Sequence, residues 1–187
     1  MKRITDRIDA LLERGEHVVV AIDGSCTAGK TTLAAHLATK YDCCLIHMDD
    51  FFLRAEQRTP ERFAQPGGNV DYERFRQEVL DNLRTGKCFA YRPYDCSTGS
   101  LKAPVEVQPK QLTIVEGTYS QHPYFGDVYD LRVFLQVSEE LRRERILKRP
   151  AFLHKRFFEE WIPMEQEYFK TFAIGRKSHL ALDLNEA

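Results

Sequence analysis

Five stretches of the chain run apolar with little alternation: His17–Ile22, Cys43–Met48, Leu112–Glu116, Leu131–Val137 and, more weakly, His179–Leu184. A strand with one wet face alternates apolar and polar residues, so continuous runs of this length predict strands covered on both faces. The segments between them carry helical spacing, near residues 30–40, 71–84, 138–148 and 155–170. At the N-terminus, Ile4, Ile8, Leu11 and Leu12 mark one face of an amphipathic helix. Strands alternating with helices predict an α/β fold: a mainly parallel five-stranded sheet with right-handed crossovers, and helices on both faces making three layers. Ligands in such folds sit beyond the carboxyl ends of the strands. Two stretches break the alternation. Residues 53–70, with Pro60 and Pro66, read as a long loop. Residues 87–109 read as a small β-hairpin insertion, its arms Cys88–Tyr91 and Lys102–Val107 set around Ser97-Thr98-Gly99-Ser100. Loops of this length in a compact domain are usually functional or mobile. No internal repeat, linker or low-complexity tract divides the chain, so residues 1–187 read as one domain.

The first apolar run delivers the chain into Gly24-Ser25-Cys26-Thr27-Ala28-Gly29-Lys30-Thr31, the pattern G-x-x-x-x-G-K-[ST], with the helix-prone stretch Thr32 to Lys40 behind it. A buried strand, a glycine turn and a helix start together point backbone N–H groups at an anion, and the helix adds the positive end of its dipole. The reading is a triphosphate cradle built from Gly24 through Thr32. Lys30 is placed to reach the β- and γ-phosphates and the Thr31 hydroxyl to hold Mg²⁺. On this reading the partner of Lys30 is the ligand, so replacing it should cost catalysis more than folding.

Composition narrows the partners. A formal net charge of −1 leaves no overall basic field, which argues against nucleic acid. No apolar run approaches the roughly 18 residues of a membrane span, and residues 1–14 lack the apolar core of a signal peptide. The five cysteines, Cys26, Cys43, Cys44, Cys88 and Cys96, form no C-x-x-C pair. Reduced thiols in a cytoplasmic protein are therefore expected. Cys26 reads as a small residue fitting the loop, with sensitivity to thiol reagents as a consequence of its position. Homo-oligomerisation is left open.

Two further strand ends carry acids. The second run closes with His47-Met48-Asp49-Asp50-Phe51-Phe52. Phosphoryl transfer requires mainly positioning and charge neutralisation, and a carboxylate facing the γ-phosphate can take the proton of an acceptor hydroxyl. Successive strand residues point to opposite sides, so one of the two acids is expected to face the phosphates. The third run closes with Val115-Glu116-Gly117, the arrangement in which a carboxylate holds Mg²⁺ directly or through water. His47, His122 and Tyr124 lie near strand ends without assigned chemistry.

Taken in order, the phosphate loop, Asp49-Asp50-Phe51-Phe52, Asn69-Val70-Asp71-Tyr72, Arg92-Pro93-Tyr94-Asp95 and Val115-Glu116-Gly117 resemble the uridine kinase-like proteins. These are P-loop kinases grouped with phosphoribulokinase and pantothenate kinase. The resemblance spans roughly residues 17–170 and looks closest to the short bacterial type. It implies a P-loop NTPase fold with a lid, ATP and Mg²⁺ as cofactors, and a small-molecule hydroxyl acceptor, foremost the 5′-hydroxyl of uridine or cytidine. Pantothenate and sugar phosphates remain open. By position, Asp49 matches the general base, Asp71 the carboxylate that accepts the ribose hydroxyls, Tyr94 an aromatic lining the base pocket, and Glu116 the acid near the metal. Asp50 stands where uridine kinases often have a small residue. Asp71 also precedes a helical stretch and reads equally as its N-cap.

Related kinases clamp the transferring phosphates with lid arginines, whose planar forks suit bidentate contacts. Here residues 142–156 would form the lid. Arg142, Arg145 and Arg149 are spaced to share a helix face, and Arg145 and Arg149 are expected to reach phosphate. The family's Arg-Asp pair is replaced by Arg149-Pro150-Ala151. The segment 157–165 reads as aromatic core packing, with Pro163 ending or kinking its helix. Against the kinase stand a regulatory NTP-binding module or GTPase switch, though the string N-K-x-D is absent, and a degenerate kinase fold that only binds.

Overall fold

The computed structural model describes residues 1–185 of the chain. In chain order its strands are β1 (Val18–Gly24), β2 (Cys43–His47), β3 (Phe89–Tyr91), β4 (Tyr94–Asp95), β5 (Ser100–Leu101), β6 (Val105–Val107), β7 (Leu112–Glu116), β8 (Leu131–Gln136) and β9 (Leu180–Asp183). The order β2-β7-β1-β8-β9 makes one five-stranded sheet, and every neighbouring pair in it is parallel. All five expected strands are present, the weak fifth included.

β1 sits at the centre and is buried along its whole length. Its side chains alternate between two cores. Val19 and Ala21 meet Phe51, Phe75, Val115 and Tyr168 on one face. Val18, Val20 and Ile22 meet Leu33, Ala34 and Leu37 of the helix Lys30–Lys40, and Ile4 and Ile8 of the helix Lys2–Leu12, on the other. Strand residues point alternately up and down, so a strand between two apolar layers has no polar position to spare. Each large aliphatic side chain fully buried in this way contributes roughly 1.5–3 kcal/mol. Leu11 and Leu12 pack against the second core, as the N-terminal periodicity predicts.

The insertion is a hairpin in two steps. β3 pairs antiparallel with β6, and β4 with β5 nearer the tip. The stretch 53–70 is less irregular than a loop. It holds a turn of 3₁₀ helix at Ala55–Gln57 and a short helix Pro60–Phe63 capped by Thr59, and Phe52 pairs with Val70 across its base. The helix beginning at Tyr72 widens to a π-helical turn at Arg76–Leu80 before Asp81–Leu83.

The stretch 142–156, expected to form a lid, begins inside the helix Glu139–Leu147, which is capped by the Ser138 hydroxyl accepting from Leu141 N–H. A second rod runs from Ala151–Arg156 through a π-helical turn at Phe157–Trp161 into Ile162–Phe172. Pro163 therefore does not end its helix. It occupies the first turn after the π segment, where its missing N–H falls among hydrogen bonds already re-spaced. The aromatic segment is also less buried than expected: Phe157, Phe158 and Trp161 are only half-buried, with Phe157 and Trp161 edge to face. Among the described residues, no helix is long and apolar enough to cross a membrane.

Candidate active site

The carboxyl ends of β1, β2 and β7 converge, and with them the loop 24–31, the acids after β2, and Glu116. The loop's glycines are demanded for different reasons. A Cβ on Gly24 would stand 1.9 Å from the Leu135 carbonyl oxygen, so the chain could not leave β1 this close to β8 with any side chain. Gly29 has open space around it but adopts φ +90°, which disfavours other residues. Thr27 is also at positive φ. Such alternation turns successive N–H groups to one side and makes an anion nest. Among the described residues the N–H groups of Thr27, Gly29, Lys30 and Thr31 have no protein acceptor, whereas Ala28 N–H donates to the Ser25 carbonyl. These unpaired donors lie at the start of a helix whose first residues, Thr31 and Thr32, are exposed.

Lys30 opens that helix. It is buried, and its ammonium donates to the carbonyls of Gly24 at 2.8 Å and Ser25 at 2.9 Å. In the ligand-free protein its partner is the loop itself, so it supports the loop's shape as well as being placed beside it. The Thr31 hydroxyl donates to Glu116 Oε1 at 3.1 Å, which brings together the two residues expected at the metal. His47 completes that corner, its Nδ1 2.6 Å from the same oxygen. The hydrogen bond to Glu116 raises the His47 pKa. Hydroxyl and carboxylate are hard oxygen donors, a set that suits Mg²⁺ bound mainly through phosphate and water. No group of three or more metal-holding side chains occurs among the described residues.

Asp49 follows β2 on a 3₁₀ turn at Met48–Phe51. It is exposed to solvent yet hemmed in by protein, as befits a residue facing an open cleft. That crowding raises its pKa, Lys30 opposes the rise and Glu116 adds to it. Asp50 is turned aside: its Oδ2 accepts from the Tyr91 hydroxyl at 3.0 Å. The two acids part as expected, but on a 3₁₀ turn instead of a strand's pleat: Asp49 is exposed and Asp50 is held by Tyr91.

The lid arginines separate. Arg145 donates to the Thr27 carbonyl at 2.8 Å and so touches the phosphate loop. Arg142 does not share its role, because its buried guanidinium lies 3.3 Å from Glu165 Oε1. Arg149 shares no helix face with them, because the helix stops at Leu147 and leaves Arg149 exposed on the following turn.

The two residues matched to a nucleoside are both inside the protein. Asp71, 1% exposed, caps the helix at Tyr72 through Oδ1, which accepts from Arg74 N–H at 3.1 Å. Its Oδ2 is buried without a hydrogen-bond partner, 3.4 Å from Arg74 Nε and 3.8 Å from Arg54 Nε. Tyr94, 5% exposed, accepts at its hydroxyl from Arg58 Nη2 at 3.1 Å. The N-cap reading of Asp71 thus holds.

Two acids at the heart of the site escaped sequence reasoning. Asp23, fully buried one residue before the loop, accepts from Gly24 N–H and Tyr119 N–H on Oδ1, and from Gln121 N–H and the Tyr168 hydroxyl on Oδ2. Burial pushes its pKa up to about 6 against those hydrogen bonds. It pins the end of β1 to the segment after β7 and to the C-terminal helix. Glu165, 2% exposed, accepts from Cys26 N–H at 2.8 Å, occupying a donor of the phosphate loop with an internal carboxylate. An acid inside an apolar strand and another in an aromatic helix were the available signals. Burial, and then Glu165, push the Cys26 thiol up to about 12, which works against the expected sensitivity to thiol reagents.

Parallel sheet, flanking helices and an anion nest between the central strand and its helix define a P-loop α/β protein with the kinase-type fold. No protein-family model and no curated protein matches the chain. Solved structures do. A possible uridine kinase from Bacillus stearothermophilus superposes with a TM-score of 0.68 at 20% identity, covering 97% of this chain and 100% of that one. D-glycerate 3-kinase from Cryptococcus neoformans gives 0.59 at 14% identity, over 91% and 86%. Phosphoribulokinase from Rhodobacter spheroides gives 0.61 at 12% identity, over 90% and 70%. Identities this low establish a shared fold.

Proposed function

We propose that the chain is an ATP-dependent kinase that transfers the γ-phosphoryl group to a hydroxyl of a small molecule. The observation that carries this reading is the row of unpaired loop N–H donors facing the same corner as Asp49 and Glu116. In this mechanism the donors of Thr27, Gly29, Lys30 and Thr31 hold the triphosphate, with Gly24, Ser25, Cys26, Ala28 and Thr32 shaping the cradle. Lys30 exchanges a loop carbonyl for phosphate oxygen. Thr31 and Glu116 would hold Mg²⁺, which would supply charge to neutralise the phosphates. Asp49 orients the acceptor hydroxyl and takes its proton as the new O–P bond forms and ADP leaves, and a raised pKa makes it a better base than an ordinary aspartate. Arg145, anchored on Thr27, and Arg149, exposed at the lid turn, supply charge to the transferring group. The order of motifs resembles kinases whose acceptor is a nucleoside such as uridine or cytidine, which in a cytoplasmic enzyme would bind near Asp71 and Tyr94. Acceptor-dependent ADP release from MgATP tests the reading. Asp49→Asn should lower kcat by about 10²-fold or more with nucleotide binding retained. ATP hydrolysis indifferent to every acceptor, or to that substitution, would sink it.

A further inference from the structure

The wall expected to receive a nucleoside presents neither of the groups that a nucleoside would use. Asp71 is enclosed, one oxygen spent on the helix cap and the other shut in beside two guanidinium groups. The Tyr94 ring is buried, and its hydroxyl is engaged by Arg58. What these buried groups hold towards solvent is arginine. Arg54 stands half-exposed over Asp71, already paired with Glu56 at 3.2 Å. Arg58 is exposed and has no acidic partner among the described residues.

Arg58 is also fixed in place. Its Nε donates to the Leu53 carbonyl at 3.0 Å and its Nη2 to the Tyr94 hydroxyl at 3.1 Å, and its guanidinium centre lies 5.5 Å from the Tyr94 ring centroid. A guanidinium carries five N–H donors, so three remain for a ligand in a geometry that needs no further ordering. Its place in the cleft follows from its neighbours. β4, which carries Tyr94, packs on the 3₁₀ turn bearing Asp49. Burial raises the pKa of the Cys96 thiol, two residues beyond Tyr94, and Arg58, Asp49, Asp95 and Arg156 lie close enough to add smaller charge effects. A neutral nucleoside offers the Arg58 cation only carbonyl and hydroxyl oxygens, whereas a carboxylate or phosphate matches both its charge and its fork.

We propose that the acceptor is an anion, a hydroxyl compound bearing a carboxylate or phosphate group, and that Arg58, buttressed by Tyr94, binds that group while Asp49 faces the hydroxyl. This rests on the kinase reading above and revises its acceptor. The roles of this wall then change: Tyr94 and Asp71 support arginines instead of touching the substrate.

The test uses the full chain with MgATP and three sets of acceptors: uridine and cytidine as neutral compounds, D-glycerate and pantothenate as carboxylates, ribose 5-phosphate as a phosphate. ADP release is followed for wild type, Arg58→Gln and Arg58→Lys, and calorimetry measures acceptor binding beside a non-hydrolysable ATP analogue. Turnover of an anionic acceptor is expected, with KM raised about tenfold or more in Arg58→Gln, partly restored in Arg58→Lys, and KM for ATP unchanged. The carboxylate and phosphate arms say which anion the site takes. Preferred turnover of the neutral nucleosides, or an anion KM indifferent to Arg58→Gln, overturns the proposal and leaves the kinase standing. Anion binding that depends on Arg58 without any turnover supports the anion site and counts against the kinase. Neither binding nor turnover with any anion overturns this proposal, whatever the ATP analogue does.

Discussion

The pairing of Glu165 with Arg142 gives a quantitative handle on how the lid and the phosphate loop are tied together. Glu165→Ala removes the carboxylate that stands 3.3 Å from the Arg142 guanidinium and 2.8 Å from Cys26 N. Glu165 and Arg142 are 2% and 8% exposed, so water does not replace the lost partner. The nearest remaining acid, Glu139, stands 3.8 Å away on the exposed side of its helix. Stranding a buried cation in this way costs about 3–5 kcal/mol, a large share of the 5–15 kcal/mol typical of a domain. The Cys26 N–H faces the open loop and can be hydrated, so it adds little. Arg142→Ala should cost less, ~1–3 kcal/mol, because Glu165 keeps its Cys26 donor and burial already raises its pKa towards the neutral form. The double variant should therefore be more stable than the sum of the two losses predicts, with a coupling of about 2 kcal/mol. Urea unfolding of the four ligand-free proteins at neutral pH measures it. A loss below about 1 kcal/mol for Glu165→Ala, or additivity within about 0.5 kcal/mol, refutes a buried pair.

Two further outcomes follow from protonation. His122 is buried neutral, its Nδ1 accepting from Tyr124 N–H and its Nε2 facing the Pro66 carbonyl, and burial pushes its pKa from the ordinary 6.5 down to about 4. A base with a depressed pKa stabilises the fold fully above the unfolded value and loses that contribution as pH falls through the folded one. Stability should therefore drop by up to about 3 kcal/mol between these pH values, and His122→Phe should lack that part of the slope; equal slopes would contradict it. For the thiols, brief alkylation of the ligand-free protein under mildly alkaline conditions should modify the exposed Cys88 and spare Cys26, as read by peptide mass spectrometry. Comparable labelling of both would show that Cys26 is not held protonated.

Local pattern carried most of the framework. The apolar runs located every strand of the sheet because a strand covered on both faces is mostly apolar along its length, and that demand is visible without knowing its neighbours. The phosphate loop was legible because its glycines and lysine answer backbone requirements within eight residues. Asp49 and Glu116 were legible as acids ending apolar strands. Pro163 misled because the energetic objection to proline assumes an unbroken α-helical ladder, which the π turn at Phe157–Trp161 relaxes. Arg149 misled because helical spacing was extended past Leu147, where the helix stops.

What the sequence determined by itself is the phosphate loop: strand, glycine loop and helix are contiguous, so their geometry follows from local chain chemistry. What tertiary structure alone decided is which groups face that loop. Glu165 lies 139 residues from Cys26 and Arg145 118 residues from Thr27, and only the packing of the helices Ile162–Phe172 and Glu139–Leu147 brings each to the loop. Asp71 and Tyr94 carry the right chemistry for a sugar and a base, but the fold turns them inward and leaves Arg58 at the surface. Burial is a property of the whole chain, and it decides whether a polar side chain meets a ligand or a neighbour.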